Sequence, residues 1–189
     1  VLLENASDLV FRNLTLEAMG TGFARTLVSD KRLDNVLVES CNLISPDFGG
    51  SNVNAGNVRL NPSLSTGVRL IGNRITGGDH GIYYSGGSSS YRAPGFELRD
   101  NEITGPFAYG VYLQYLTGAV IEGNTVTMRT ASWSSSYTLE LSNVEGANRV
   151  VGNRLTGANQ QGLTFNYNES TTGSPGLIAN NFIQSRGNY

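Results

Sequence analysis

An asparagine recurs along this chain at a near-constant interval, each time inside the same apolar frame. The segments are LIGNRIT, LRDNEIT, IEGNTVT, VVGNRLT and IANNFIQ. Their asparagines are Asn73, Asn101, Asn124, Asn153 and Asn181, spaced by 28, 23, 29 and 28 residues. An aliphatic residue stands three before each asparagine and another stands two after it. VESCNLI fits the frame with Cys41 in the asparagine slot, 32 residues before Asn73. LVFRNLTL fits loosely around Asn13, its apolar residues shifted by about one. Self-similarity at such a period marks a repeat architecture.

A second element follows each asparagine segment: GIYY (Gly81 to Tyr84), GVYL (Gly110 to Leu113), TLEL (Thr138 to Leu141) and GLTF (Gly162 to Phe165). NVRL (Asn57 to Leu60) takes the same place one coil earlier. Their period-two alternation reads as half-buried strands. Each period is therefore strand, turn at the asparagine, strand, loop, strand. No stretch carries helical periodicity long enough for a helix.

Strands this short bury their apolar rows only by stacking on the coils above and below. The expectation is an all-β parallel solenoid of about seven coils, one domain over residues 1–189. At roughly 4.8 Å per coil the column is roughly 34 Å long. The asparagines are read as structural, stacked at a turn and bonded to backbone and to one another, since Asn also tolerates left-handed backbone angles. Cys41 is read as a small buried substitute for one of them. The chain is 15% charged with 24 glycines, a composition suited to turns rather than helices.

A net charge of −2 and a single lysine, Lys31, speak against nucleic acid or an anionic membrane surface as partner. No apolar run approaches 18 residues, so no bilayer insertion is expected. No stretch of these residues reads as a signal peptide. The chain opens and closes on strand-like sequence without polar caps, from which a piece of a larger multidomain protein is expected. One cysteine allows no internal disulfide.

LIGNRIT, LRDNEIT and IEGNTVT, each followed by a GIYY- or GVYL-type strand, resemble the right-handed parallel β-helix repeats of the pectin-lyase-like superfamily. The resemblance covers nearly the whole chain and implies the fold. It leaves function open, because that superfamily spans lyases, hydrolases, epimerases, tailspikes and adhesins. GIYYSGGSSS and NEITGPFAYGVYLQYLTGAVIEGNTVT are also similar to β-helical segments of large secreted surface proteins of Bacteroidota. That likeness implies an adhesin-like module, secreted or on the cell surface.

Alternation assigns two outward rows to the GIYY-type strands. The first is Arg59, Tyr83, Tyr112, Glu140 and Thr164; the second is Asn61, Ser85, Gln114, Ser142 and Asn166. Rows at this spacing suit an extended chain ligand. Aromatic rings, an arginine and amides are what a polysaccharide needs for stacking and hydrogen bonding. The candidate ligand-binding residues are Arg59, Tyr83, Tyr112, Gln114, Glu140 and Asn166, with Trp133 from the excursion RTASWSSS as a stacking platform beside Glu140 or a local plug. Two other excursions, SPDFGGSNVNAG (Ser45 to Gly56) and SGGSSSYRAPG (Ser85 to Gly95), break the repeat, and Tyr91 and Arg92 in the second are placed to flank the tyrosine row. Ordinary strand chemistry, with mixed polar residues keeping the face wet, is the favoured account of the same residues.

Catalysis is the competing reading. Glycoside hydrolysis needs two carboxylates about 5 to 10 Å apart. Glu140 is the one carboxylate in the outward rows, and Asp79 lies two coils away, roughly 10 Å along the axis. A lyase needs a base and a cation, roles open to Arg59, His80 and Tyr83, and a lyase or hydrolase site would draw on Glu140, Tyr112, His80 and Arg59. His80, however, reads more simply as a turn residue of GGDHG. Asp47, Asp79, Glu97 and Asp100 are scattered, so no metal site is expected, and no cofactor. Three functions stay open: a non-catalytic glycan-facing or adhesive module, a polysaccharide lyase or hydrolase, and a purely structural spacer.

Overall fold

The computed structural model describes residues 1–187 other than 50, 51, 63 and 89. Residues 50 and 51 of the first excursion, residue 89 of the second and the last two residues of the closing segment lie outside the described residues.

The asparagine frame produces two stacked sheets. The strands before the turn are Val10–Arg12, Leu37–Glu39, Arg69–Ile71, Glu97–Arg99, Val120–Glu122, Arg149–Val151 and Leu177–Ala179, paired in parallel in that order. Those after the turn are Thr15–Glu17, Asn42–Ile44, Arg74–Thr76, Glu102–Thr104, Thr125–Thr127, Arg154–Ala158 and Phe182–Ser185. Among the described residues each of these sheets therefore has seven rungs, matching the coil count expected from the repeat. The third sheet stacks Leu27–Ser29, Val58–Leu60, His80–Ser85, Tyr109–Thr117, Tyr137–Glu145 and Gln161–Asn166, with Ala93–Pro94 paired to the end of Tyr109–Thr117.

The three sheets enclose one core. Leu70, Leu98, Ile121 and Val150 form one inward row; Ile75, Ile103, Val126 and Leu155 form the next; Ile82, Val111 and Leu139 form the third. All are fully or almost fully buried, each contributing on the order of 1.5–3 kcal/mol by leaving water. Tyr84 and Phe96 fill the same interior, ring centroids 4.6 Å apart.

The asparagines form a buried ladder. Asn101 Oδ1 accepts from both the backbone N and the Nδ2 of Asn73, each at 2.9 Å. Asn124 serves Asn101 in the same way, Asn153 serves Asn124, and Asn181 serves Asn153. Each Nδ2 also donates to a carbonyl of the preceding coil, as Asn124 does to Leu98 at 2.8 Å. Cys41 ends the ladder. Its Sγ lies within hydrogen-bonding reach of the Phe11 and Glu39 carbonyls, positions equivalent to those that Asn101 Nδ2 reaches at Leu70 and Arg99.

One detail of the turn differs from expectation. The left-handed residue is the one before the ladder position: Ser40, Gly72, Asp100, Gly123, Gly152 and Asn180 all have φ between 52° and 67°. Asn13 belongs to that set, with φ 56°. Leu14 therefore occupies the ladder slot of the first coil, which explains the one-residue shift in LVFRNLTL.

Candidate functional site

The third sheet presents the wall that alternation predicts. Arg59, Tyr83, Tyr112, Glu140 and Thr164 are successive parallel partners, and so are Ser85, Gln114, Ser142 and Asn166. Asn61 lies one residue past its strand and is exposed.

A third row lies on the same wall, and period-two alternation misses it. His80, Tyr109, Tyr137 and Gln161 are successive partners. Their strands bend at the glycine that follows in three of the four rungs. A Cβ on Gly81 would stand 2.6 Å from Ile103 Cγ2, and one on Gly110 would stand 2.5 Å from Val126 Cγ1. Both glycines and the next residue thus face the core, and the preceding residue is turned outward. His80 is not the turn residue expected; it begins a strand.

The rings of the two rows stack along the column. Tyr109 lies between His80 (centroids 4.8 Å apart, planes at 19°) and Tyr137 (5.1 Å, 9°). Tyr83 and Tyr112 stack at 5.5 Å and 5°. Tyr109 and Tyr112 join the stacks edge to face at 5.3 Å. Ring faces are thereby turned toward neighbouring rings, and edges and hydroxyls are turned outward.

The Tyr83 and Tyr112 hydroxyls are bonded to the second row. Gln114 Nε2 donates to Tyr83 Oη at 2.8 Å, and Tyr112 Oη donates to Gln114 Oε1 at 3.3 Å. Asn166 Nδ2 donates to Glu140 Oε1 at 2.7 Å. Burial raises the Glu140 pKa above the ordinary carboxylate range, partly offset by the Asn166 bond. Burial also raises the Tyr109 and Tyr112 hydroxyls, and the Glu140 charge adds to it.

The groups an enzyme would use are engaged or enclosed. Arg59 Nη1 is ion-paired to Asp30 Oδ1 at 2.6 Å. His80 is only 1% exposed. The Val53–Ala55 turn of the first excursion lies against its strand. Burial lowers the His80 pKa to about 4, so the imidazole is neutral at neutral pH. Its Nδ1 has no hydrogen-bond partner among the described residues. Asp79 is also buried, its Oδ2 accepting from the Asn52 backbone N at 3.1 Å. Tyr91 packs against the core with its hydroxyl donating to the Ser65 carbonyl, and Arg92 pairs with Glu145. The Trp133 backbone bonds to Phe107 and its carbonyl accepts from Ser136 and Asn159, fixing the half-buried residue at the corner before Tyr137–Glu145.

Among the described residues no group of three His, Cys, Asp or Glu is placed to hold a metal, and no helix is long and apolar enough to cross a membrane. A family model described as a right handed beta helix region matches residues 1–188. The chain belongs to this right-handed β-helix family. In comparisons with curated proteins and with solved structures, nothing matches.

Proposed function

We infer that this β-helix is a non-catalytic, glycan-facing module of a secreted or cell-surface bacterial protein. The observation that carries the reading is the bonded array of Tyr83, Tyr112, Gln114, Glu140 and Asn166. It holds hydroxyl, amide and carboxylate groups in fixed positions along one wall. Sugar hydroxyls both donate and accept, and a pre-ordered array of such partners loses little side-chain entropy on binding. Repetition at one rung per coil suits an extended polysaccharide over a compact ligand. A module that holds a surface glycan works outside the cell, in line with the resemblance to secreted surface proteins.

Catalysis is the less favoured alternative. A lyase base must reach its substrate proton within hydrogen-bond distance, and His80 is enclosed, with its basicity lowered by burial. A spacer with no ligand is favoured by a different fact: the wall's polar groups already bond to one another.

A glycan array probed with the intact chain and with Gln114→Ala tests the reading. Binding to at least one polysaccharide, weakened tenfold or more by Gln114→Ala, is the expected result. No binding across the array would leave the spacer.

A further inference from the structure

Left-handed backbone is costly for residues with a Cβ, most of all for bulky ones. This chain mostly obeys that rule. Asp8, Asn35, Gly67, Gly95, Gly118 and Gly146 fill one left-handed column, and Gly77, Gly105 and Gly157 contribute to another. The position that follows Gln114, Ser142 and Asn166 in the third sheet is different. Tyr115, Asn143 and Tyr167, each one residue past the paired Gln114, Ser142 and Asn166, all have φ of 54°. Asparagine there is unremarkable. Two tyrosines there are not, because strain of this kind persists where the surroundings or a function hold it.

Their rings also differ from the others on the wall. Tyr83, Tyr109, Tyr112 and Tyr137 each spend at least one face on a neighbouring ring. Tyr115 and Tyr167 stack on no aromatic side chain among the described residues, and Tyr167 is 84% exposed. They stand two rungs apart, about 10 Å along the column, beside the polar array. Tyr115 is near enough for its hydroxyl to contribute to the raised pKa of Tyr83 and Tyr112, after burial and other causes.

The charges beside these tyrosines set the ligand class. Arg59 is paired with Asp30 and Arg92 with Glu145, His80 is neutral, and Glu140 lies on the wall itself. An acidic polysaccharide would meet a carboxylate and already-paired arginines. A neutral one meets hydroxyls, amides and two ring faces.

We propose that Tyr115 and Tyr167 are the sugar-stacking residues of this wall, gripping a neutral, extended glycan that lies along the column axis. The proposal rests on the glycan-facing reading and identifies which residues and which sugar class carry it.

Titration calorimetry with cellohexaose, xylohexaose, mannohexaose and hexagalacturonate tests it, using the intact chain, Tyr115→Asn, Tyr167→Asn and the double variant. Asparagine already fills the position between them, so the backbone is kept. The expected result is binding of at least one neutral hexasaccharide, a tenfold or greater loss in the double variant, and a melting midpoint that is unchanged or higher. Neutral binding that survives the double substitution would overturn the stacking role while leaving the glycan-facing reading intact. Binding of hexagalacturonate alone would overturn the ligand class. No binding of any hexasaccharide by the intact chain would overturn the proposal together with the reading beneath it. A melting midpoint that falls with affinity unchanged would make the tyrosines structural and overturn it as well.

Discussion

Tyr83 and Tyr112 lie face to face on adjacent rungs, ring centroids 5.5 Å apart and planes only 5° from parallel. Each ring covers one face of the other, so the pair stiffens the sheet while presenting hydroxyls outward. Tyr112 adds the edge contact to Tyr109 and the bond to Gln114. An aromatic pair contributes about 0.5–1.5 kcal/mol beyond area burial. Tyr112→Ala is therefore expected to destabilise the fold by about 2 kcal/mol. Tyr112→Phe keeps the rings and loses one hydrogen bond, costing about 1 kcal/mol. Urea unfolding of the two variants checks the order.

The asparagine ladder predicts a larger effect. Asn124 is buried and accepts from Asn101 backbone N and Nδ2 while donating to Leu98 and Asn153. Asn124→Ala strands a buried backbone N–H and removes those side-chain bonds. Each buried group left unsatisfied costs about 1–3 kcal/mol, so a loss of about 3 kcal/mol or more is expected. Asn181→Ala, in the last coil and bonded on one side of the ladder only, is expected to cost less. Equilibrium unfolding of both variants reads the difference.

His80 gives the fold an acid sensitivity. Its folded pKa, about 4, lies below its ordinary 6.5. Between those values the unfolded chain binds the proton and the folded one does not, so stability falls as pH drops from about 6.5 toward 4. Two to three pKa units correspond to roughly 3 kcal/mol across that window. His80→Phe keeps a ring beside Tyr109 and removes the titration. Thermal melts from pH 7 to pH 4 are expected to be flatter in that variant.

Glu140 acts in the opposite sense. Its folded pKa is raised by burial, so the folded state holds the proton more tightly than the unfolded state does. Stability falls as pH rises through the window between the ordinary and the raised value, and the charged form remains a burden above it. Glu140→Gln retains an oxygen for Asn166 and carries no charge. It is expected to melt at an equal or higher temperature than the wild type at pH 7, with the difference vanishing at pH 4. Melts of the two proteins at both pH values check it.

The frame of the fold was legible in the chain because one side chain type answers one recurring need. Every coil must satisfy buried backbone groups at the same turn, and Asn73, Asn101, Asn124, Asn153 and Asn181 do so. The rows through Tyr83 and Gln114 followed from simple alternation. The row through His80, Tyr109 and Tyr137 did not, because it depends on a bend where Gly81 and Gly110 approach the opposing sheet. Nor did the burial of His80, whose strand lies against the Val53–Ala55 turn of an excursion some 25 residues earlier in the chain. Arg59 looked available, but its partner Asp30 lies 29 residues away, one coil below. Tyr115 and Tyr167 gave no signal, since a bulky residue is the least expected occupant of a left-handed position.

On the proposed function, this wall holds a glycan without cutting it. The direct measurement incubates the intact chain with the polysaccharide it binds and follows chain length, new reducing ends and unsaturated uronate ends over time. Saturable binding with the polymer's length unchanged is the expected result. Shortening of the polymer by the wild type, abolished by Glu140→Gln or His80→Ala, would contradict it.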